Sequence, residues 1–335
     1  MLKPISISLS PNTERDDTWL AFKLLFQPWR WNKGREIEEL EKEFKNYLGT
    51  KYAFSFNSGR SALMAILDSL SLEKGSEILL QTFTCNAVPN PILWSGLKPI
   101  YVDCDENTFN IDIEDLKKKI GPKSKTVIVQ HTFGLPANLD EVIKICDQNN
   151  LILIEDCAHA LGVTYNGKKL GTFGKVSFFS FSRDKVISSV YGGMVATNDD
   201  ILAERIKNFQ EKIGFPSIFW IKQQLLHPIL MNYIILPTYK FFGKYLLVLL
   251  QWLHLLSKAV HWKEKRGLRP DYFPKRLPNA LAILASNQFK KLEKFNQHRQ
   301  KIANFYREKL KNTSFILPSD SEQIYLRFTI KHSKA

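Results

Sequence analysis

Cysteine is scarce in this 335-residue chain, which has only Cys85, Cys104, Cys146 and Cys157. Their spacings of 19, 42 and 11 residues fit no zinc or redox pattern, so no metal site is expected. Three lie in or beside apolar runs, as reduced thiols of a cytosolic protein do. An apolar h-region is also missing: MLKPISISLSPNTERDD carries charges where a signal peptide would be greasy, so export is not expected. Nor is there an uninterrupted membrane span. The uncharged run 223–239 contains two prolines and 245–257 is 13 residues long, against the roughly 20 apolar residues a span needs. Acid is short as well, with 33 Asp and Glu against 47 Lys and Arg, a formal net charge of +14. That excess suits an anionic partner, whether a phosphate-bearing substrate or an anionic surface, and solubilising lysines account for it equally well.

The length allows two domains, and helix-type and strand-type segments alternate through roughly the first 200 residues, as in α/β layers. Over 34–48, Ile37, Leu40, Phe44 and Leu48 share one helical face, acids precede lysines, and Gly49 follows as a stop. A short strand at 52–57 then leads into Ser58-Gly59-Arg60-Ser61 and an apolar helix over 62–70. A glycine turn at a helix N-terminus offers free N–H groups to a phosphate, whereas a plain serine cap is the simpler account; Arg60 adds a cation that capping does not need.

Strand and helix pairs follow at 77–81 and 86–94, 99–102 and 113–119, and 126–130 and 139–148. Short apolar strands joined by helical connections predict a mostly parallel sheet covered on both faces, with ligands at the carboxyl ends of its strands. Thr84, Cys85, Asp103, His131, Asp156 and Ser180 fall there, and His131 reads as a hydrogen-bonded turn residue rather than a catalyst.

The stretch 151–198 concentrates the chemistry. An apolar run ends in Glu155-Asp156, and a second, 176–181, precedes Lys185 and Gly192-Gly193. An Asp at the end of a buried strand is costly unless it meets a cation or several donors, and a protonated pyridine nitrogen is such a cation. Lys185 would then hold the aldehyde of a pyridoxal cofactor, and Ser180 would face its phosphate beside Gly59.

Glu155-Asp156-Cys157-Ala158-His159-Ala160-Leu161-Gly162, Gly171-Thr-Phe-Gly174, Phe179-Ser180-Phe181, Lys185 and Gly192-Gly193 together resemble the DegT/DnrJ/EryC1/StrS family of pyridoxal-phosphate-dependent sugar aminotransferases. Further matches are Ser58 to Leu63, Val102-Asp103 with Asn110-Ile111-Asp112, His131-Thr-Phe-Gly134, and Arg276-Leu277-Pro278-Asn279 ahead of Gln288 and Arg299. The resemblance covers about 34–306 and is interrupted by one insertion. It implies the fold-type-I aminotransferase architecture, a mostly parallel sheet flanked by helices, working as a cytoplasmic homodimer. The implied reaction moves an amino group from an amino acid, usually glutamate, to a nucleotide-linked keto sugar for surface polysaccharide, with pyridoxal 5'-phosphate as cofactor. No nucleic-acid partner is implied. By position Lys185 is the catalytic residue that bonds the cofactor, Asp156 partners the ring nitrogen, and His159 lies near the ring hydroxyl. Ser180, Gly59, Arg60 and Ser61 cradle the phosphate, and Cys85 stands against the ring.

This sequence departs from the family at three places. Arg60 replaces a usual Thr, Cys85 replaces a stacking aromatic, and Tyr272-Phe273-Pro274-Lys275 lacks the Asn that relatives donate across the dimer. Relatives that dehydrate their sugar usually carry His where Lys185 stands, so Lys185 favours transfer over a dehydratase. An inactive subunit serving assembly or membrane attachment is the remaining alternative.

Three domains are expected: 1–210 binding the cofactor, a hydrophobic basic helical insertion over 211–265, and a small C-terminal domain over 266–335. From 212 to 269 there are nine Lys and Arg against one acid. Aromatics and leucines between lysines suit helices lying in a membrane interface, so 217–260 is a candidate for peripheral membrane contact. A helical hairpin packed on the dimer partner is the favoured alternative, and the protein is expected to fractionate as soluble. A helix over 285–310 and a strand over 324–330 complete the reading. Relatives continue through further strands and helices, so the small domain reads as truncated.

Overall fold

The computed structural model describes residues 12–318 and 323–332. The described residues hold nine strands: β1 (Tyr52–Phe56), β2 (Glu77–Gln81), β3 (Lys98–Val102), β4 (Ser124–Gln130), β5 (Ile152–Asp156), β6 (Thr164–Tyr165), β7 (Lys168–Lys169), β8 (Val176–Ser180) and β9 (Gly193–Thr197). Seven form one sheet in the order β1-β9-β8-β5-β4-β2-β3, and β6 with β7 makes a small hairpin. From β3 across to β8 the pairings are parallel, whereas β9 runs antiparallel to β1 and to β8.

The strands are apolar almost without interruption because both sheet faces are covered. Ile78, Leu80, Ile128 and Ile154 enter one layer, and the alternating Leu79, Val127, Val129 and Leu153 enter the other. The second layer is closed by α1 (Arg15–Leu25), α2 (Glu36–Leu48), α5 (Ile113–Lys119), α6 (Leu139–Gln148) and α10 (Asn279–Phe289). The first is closed by α3 (Gly59–Ser69), α4 (Pro89–Trp94) and α7 (Asp200–Lys212). In α2 the four expected residues, Ile37, Leu40, Phe44 and Leu48, are the buried ones, and Gly49 ends the helix at φ 80°, where a side chain would be strained.

Three expectations change. The helix expected from 86 starts at Pro89. The long helix over 285–310 is two, α10 and α11 (Leu292–Leu310), with Lys290 and Lys291 between them. The stretch 324–330 forms no strand among the described residues: an isolated bridge joins Ile316 to Lys331, just past its end, and the Leu326 N–H donates to the Phe133 carbonyl. Ile324 packs into the core, so burial rather than a ladder holds this stretch.

The insertion begins with α8 (Ile218–Leu230), which packs on α1 and α10. Two π-helical turns, Met231–Ile235 and Tyr239–Gly243, lead into α9 (Lys244–Trp252), and Met231, Ile235 and Leu256 form a small separate core. The arms 218–235 and 239–252 are bent by 111°. Among the described residues no single helix is long and apolar enough to cross a membrane.

Candidate active site

A cavity of about 350 Å³ opens at the carboxyl ends of β5 and β8, lined among others by Gly59, Arg60, Cys85, Asp156, His159, Ser180 and Lys185. Seven of the eight residues given a cofactor role by the sequence therefore meet in one place. Ser61 does not line it: its N–H donates to the hydroxyl of the helix cap Ser58 (3.0 Å) and its own hydroxyl donates to Asn57 Oδ1 (2.6 Å), which seats the first turn of α3.

The two acids ending β5 point to different tasks, as alternation along a strand requires. Glu155 is fully buried and accepts the N–H groups of Gly171 (2.8 Å), Phe173 (2.7 Å) and Gly174 (2.7 Å), which fastens the Gly171-Thr-Phe-Gly174 turn. It also faces His131 Nε2 at 3.3 Å, while the Ala137 N–H donates to Nδ1, so His131 is tied into the scaffold. Asp156 instead lines the cavity and accepts from the Ala158 N–H (2.9 Å). Burial pushes its carboxyl above the ordinary value, against the pull of that N–H and of nearby Lys185 and His131.

Lys185 Nζ lies 3.0 Å from His159 Nε2 and 3.9 Å from the Asp184 carboxylate. Burial, then Lys185 and Arg327, holds His159 well below its ordinary value, so the ring is neutral. The Phe133 N–H reaches its Nδ1 at 3.4 Å, and the Phe133 ring lies near-parallel to it at 5.7 Å. Nδ1 thus accepts from the backbone, and Nε2 is the ring nitrogen that faces the lysine amine. The backbone under Lys185 is pinned from outside: Asn12 Nδ2 donates to the Lys185 (2.7 Å) and Val186 (3.1 Å) carbonyls, and Arg299 donates to the latter (2.8 Å).

At the opposite end, the first turn of α3 meets β8 and β9 closely. A Cβ on Gly59 would sit 3.0 Å from Ser180 Cβ, and one on Gly193 would sit 2.5 Å from the Ser58 carbonyl carbon and 2.6 Å from the Gly59 nitrogen. Glycine permits this approach, which leaves the α3 N-terminus beside the Ser180 hydroxyl, a pairing suited to an anion.

Arg60 lines the same end but is already paired. Its Nε meets the Glu264 carboxylate at 2.5 Å, its Nη2 reaches the Ala259 carbonyl at 3.4 Å, and it stacks over Phe273 at 5.4 Å. Both charges of that ion pair are buried. Glu264 belongs to a strap that returns from the insertion across the cavity, where Ala259 and Val260 form part of the wall. Asn90, Trp94 and Asn57 hold the strap by donating to the Glu264, Gly267 and Tyr272 carbonyls.

Two cavity cations escape the sequence reading. Arg183 is buried, stacks over Tyr191 at 5.5 Å, and donates to the Ser257 carbonyl (2.9 Å) and hydroxyl (2.5 Å). Among the described residues no carboxylate lies within ion-pairing distance of it, and its Nε has no acceptor. Arg327 arrives from 324–330, pairs with Asp184 at 3.3 Å and covers the Phe133 ring at 5.2 Å. A cation two residues before Lys185 was the only available hint of the first; the second depends on how the chain returns.

Comparison with known proteins agrees with this geometry. The model of the DegT/DnrJ/EryC1/StrS aminotransferase family matches residues 14–221. GDP-perosamine synthase of Vibrio cholerae is 38% identical over 183 residues, 54% of this chain and 50% of that protein. A dTDP-3-amino-3,6-dideoxy-alpha-D-galactopyranose transaminase of Aneurinibacillus thermoaerophilus is 28% identical over 302 residues, 89% of this chain and 70% of its own length. The chain spans about half the length of GDP-perosamine synthases from three bacteria. Among solved structures, the Escherichia coli GDP-4-keto-6-deoxy-D-mannose-3-dehydratase with bound hydrated PLP superposes with a TM-score of 0.74 at 24% identity, covering 99% of this chain and 80% of that one. Helicobacter pylori PseC, an aminotransferase of pseudoaminic acid biosynthesis, gives 0.72 at 22%, covering 99% and 77%. Likeness at this identity establishes the shared fold.

Proposed function

This chain belongs to the DegT/DnrJ/EryC1/StrS aminotransferase family, and from that premise we propose that it transfers an amino group from an amino acid, glutamate in our reading, to a nucleotide-linked keto sugar. The observation that carries the proposal is Lys185 Nζ within 3.0 Å of His159 Nε2, in one cavity with Asp156. The cavity fits pyridoxal 5'-phosphate, the family's cofactor: a buried carboxylate stands at one end and a glycine-tight helix N-terminus with a serine hydroxyl at the other. When bound, that cofactor supplies an electron sink for the amino-acid Cα. Asp156 would face the ring nitrogen, where a cation offsets the cost of its burial, and Gly59 and Ser180 would receive the phosphate. Lys185 Nζ would hold the cofactor at its aldehyde carbon and, once free as an amine, would be the base placed to accept the donor Cα proton. His159 Nε2 is placed to orient that amine. Arg327 supplies a cation at the cavity wall for the donor carboxylate.

Half-length coverage of its relatives makes the substrate itself part of the proposal, and the GDP- and dTDP-linked sugars named for two of them suggest which nucleotides to try first. Titration of the purified protein should give an absorbance band for lysine-bound cofactor that is missing in Lys185→Ala and is bleached to the amine form by glutamate. A panel of nucleotide keto sugars should then restore the band. A protein that binds cofactor but never bleaches with any amino acid would instead be a non-catalytic subunit.

A further inference from the structure

The insertion carries an apolar surface that the fold leaves bare. Helix α9 has no buried residue. Its Leu247 and Leu250 pack against the small core of Met231, Ile235 and Leu256, so one apolar stripe is used. On the other side Tyr245, Val248, Leu249 and Trp252, spaced i, i+3, i+4 and i+7, are all exposed, Trp252 by 72%. Phe241 and Phe242 extend the stripe through the preceding turn. On α1, joined to the insertion where Thr18 Oγ1 meets the Tyr233 hydroxyl at 3.2 Å, Trp19 and Phe26 are exposed as well. A helix that is apolar on both sides must have something covering the second.

Charge indicates what covers it. The only acid between 212 and 269 is Glu264, and it is buried against Arg60. Every exposed charge of the segment is therefore positive, including Lys222, Lys240, Lys244 and Lys258. Lys244 lies over the Tyr245 ring at 5.3 Å and Arg266 over Trp262 at 5.4 Å, each cation beside an aromatic. A two-fold contact between copies would set this cationic patch against itself, and interface cores are depleted in lysine. A bilayer surface accepts both features, with aromatic and aliphatic side chains entering the headgroup boundary and lysines reaching back to anionic phosphates. The 111° bend keeps α8 packed on α1 and α10 and turns α9 out of its line, so the two arms form no straight span.

We propose that residues 218–256 dock this protein on anionic lipid, with α9 lying in the membrane interface through Tyr245, Val248 and Trp252. The inference is independent of the reaction assigned to the cavity. The test is flotation of the full-length, cofactor-loaded protein with two kinds of vesicle: phosphatidylcholine alone, and phosphatidylcholine with about one third phosphatidylglycerol. Binding should require the anionic lipid and weaken in high salt. The Lys240→Glu/Lys244→Glu variant should bind at least about tenfold more weakly, and Val248→Glu/Trp252→Glu should not float. All four side chains are exposed, so unchanged thermal melts and an unchanged cofactor absorbance band would certify both variants as folded. Failure of the parent protein to float with anionic vesicles overturns the proposal, as does flotation indifferent to both variants. A parent dimer that ignores vesicles and becomes a monomer in Val248→Glu/Trp252→Glu would show that a second copy covers this face, and would equally overturn it.

Discussion

Arg183 holds a buried positive charge in the cavity wall with no carboxylate within ion-pairing distance among the described residues, while Arg60, which lines the same cavity, is paired with Glu264. Burial pulls the Arg183 pKa down against the opposing pull of Tyr191, Tyr272 and Asp184, so an anion arriving there would be favoured. Arg183→Met should therefore weaken pyridoxal 5'-phosphate by roughly tenfold to a hundredfold, the scale of one lost charge-assisted contact, and leave phosphate-free pyridoxal nearly unchanged. Fluorescence titration with both ligands reads the ratio. Equal losses would mean that Arg183 serves only to hold Ser257. That Asp156, Lys185 and Ser180 line one cavity was legible because strand ends and spacing mark them. The task of Glu155 was not, because its three N–H donors lie 16 to 19 residues downstream, and nothing local shows that they fold back onto it.

Elements whose pattern is self-contained, such as α2 with its acids, apolar face and terminal glycine, could be read directly. The break at Lys290 and Lys291 could not, since neither residue stops a helix; nor could the fate of 324–330, whose alternation fits a strand but which joins no ladder among the described residues. Contacts between elements are testable in the same terms. Gly193→Ala would drive a methyl group into the Ser58 carbonyl and Gly59 nitrogen, backbone atoms that cannot rotate away. It should cost about 2 kcal/mol or more in urea unfolding and loosen the α3 N-terminus, lowering cofactor affinity. Helix α8 adds a pH dependence. Burial, then Arg183, holds His227 well below its ordinary value of about 6.5. The native state thus binds fewer protons than the unfolded chain, so stability is complete above about pH 6.5 and declines as pH falls below it. His159 acts in the same direction. Each contributes a slope of up to about 1.4 kcal/mol per pH unit, and His227→Gln should flatten the curve measured by urea unfolding between pH 7.5 and about 5.5.

At the scale of the molecule, the strap joins the insertion to the cavity, and a buried ion pair adds to the hydrogen bonds that hold the junction. Arg60 on α3 and Glu264 on the strap are about 200 positions apart in sequence, which is why the sequence suggested Arg60 as a free phosphate ligand and the structure finds it engaged. Removing one member of a buried pair leaves the other charge uncompensated, so Glu264→Gln should destabilise the cofactor-free protein by about 3–5 kcal/mol. The freed guanidinium then lies beside the α3 N-terminus, where inorganic phosphate can replace the lost carboxylate. Any ligand that binds only the folded state raises stability by mass action, by about 2.7 kcal/mol at a hundredfold excess over its Kd. Phosphate should therefore stabilise Glu264→Gln markedly more than the parent protein in urea titrations. Cofactor should bind the variant at least as tightly once it is folded. Identical phosphate responses in the two proteins would mean that Arg60 does not turn toward the cavity when Glu264 is removed, and that the strap pair is purely a structural clamp.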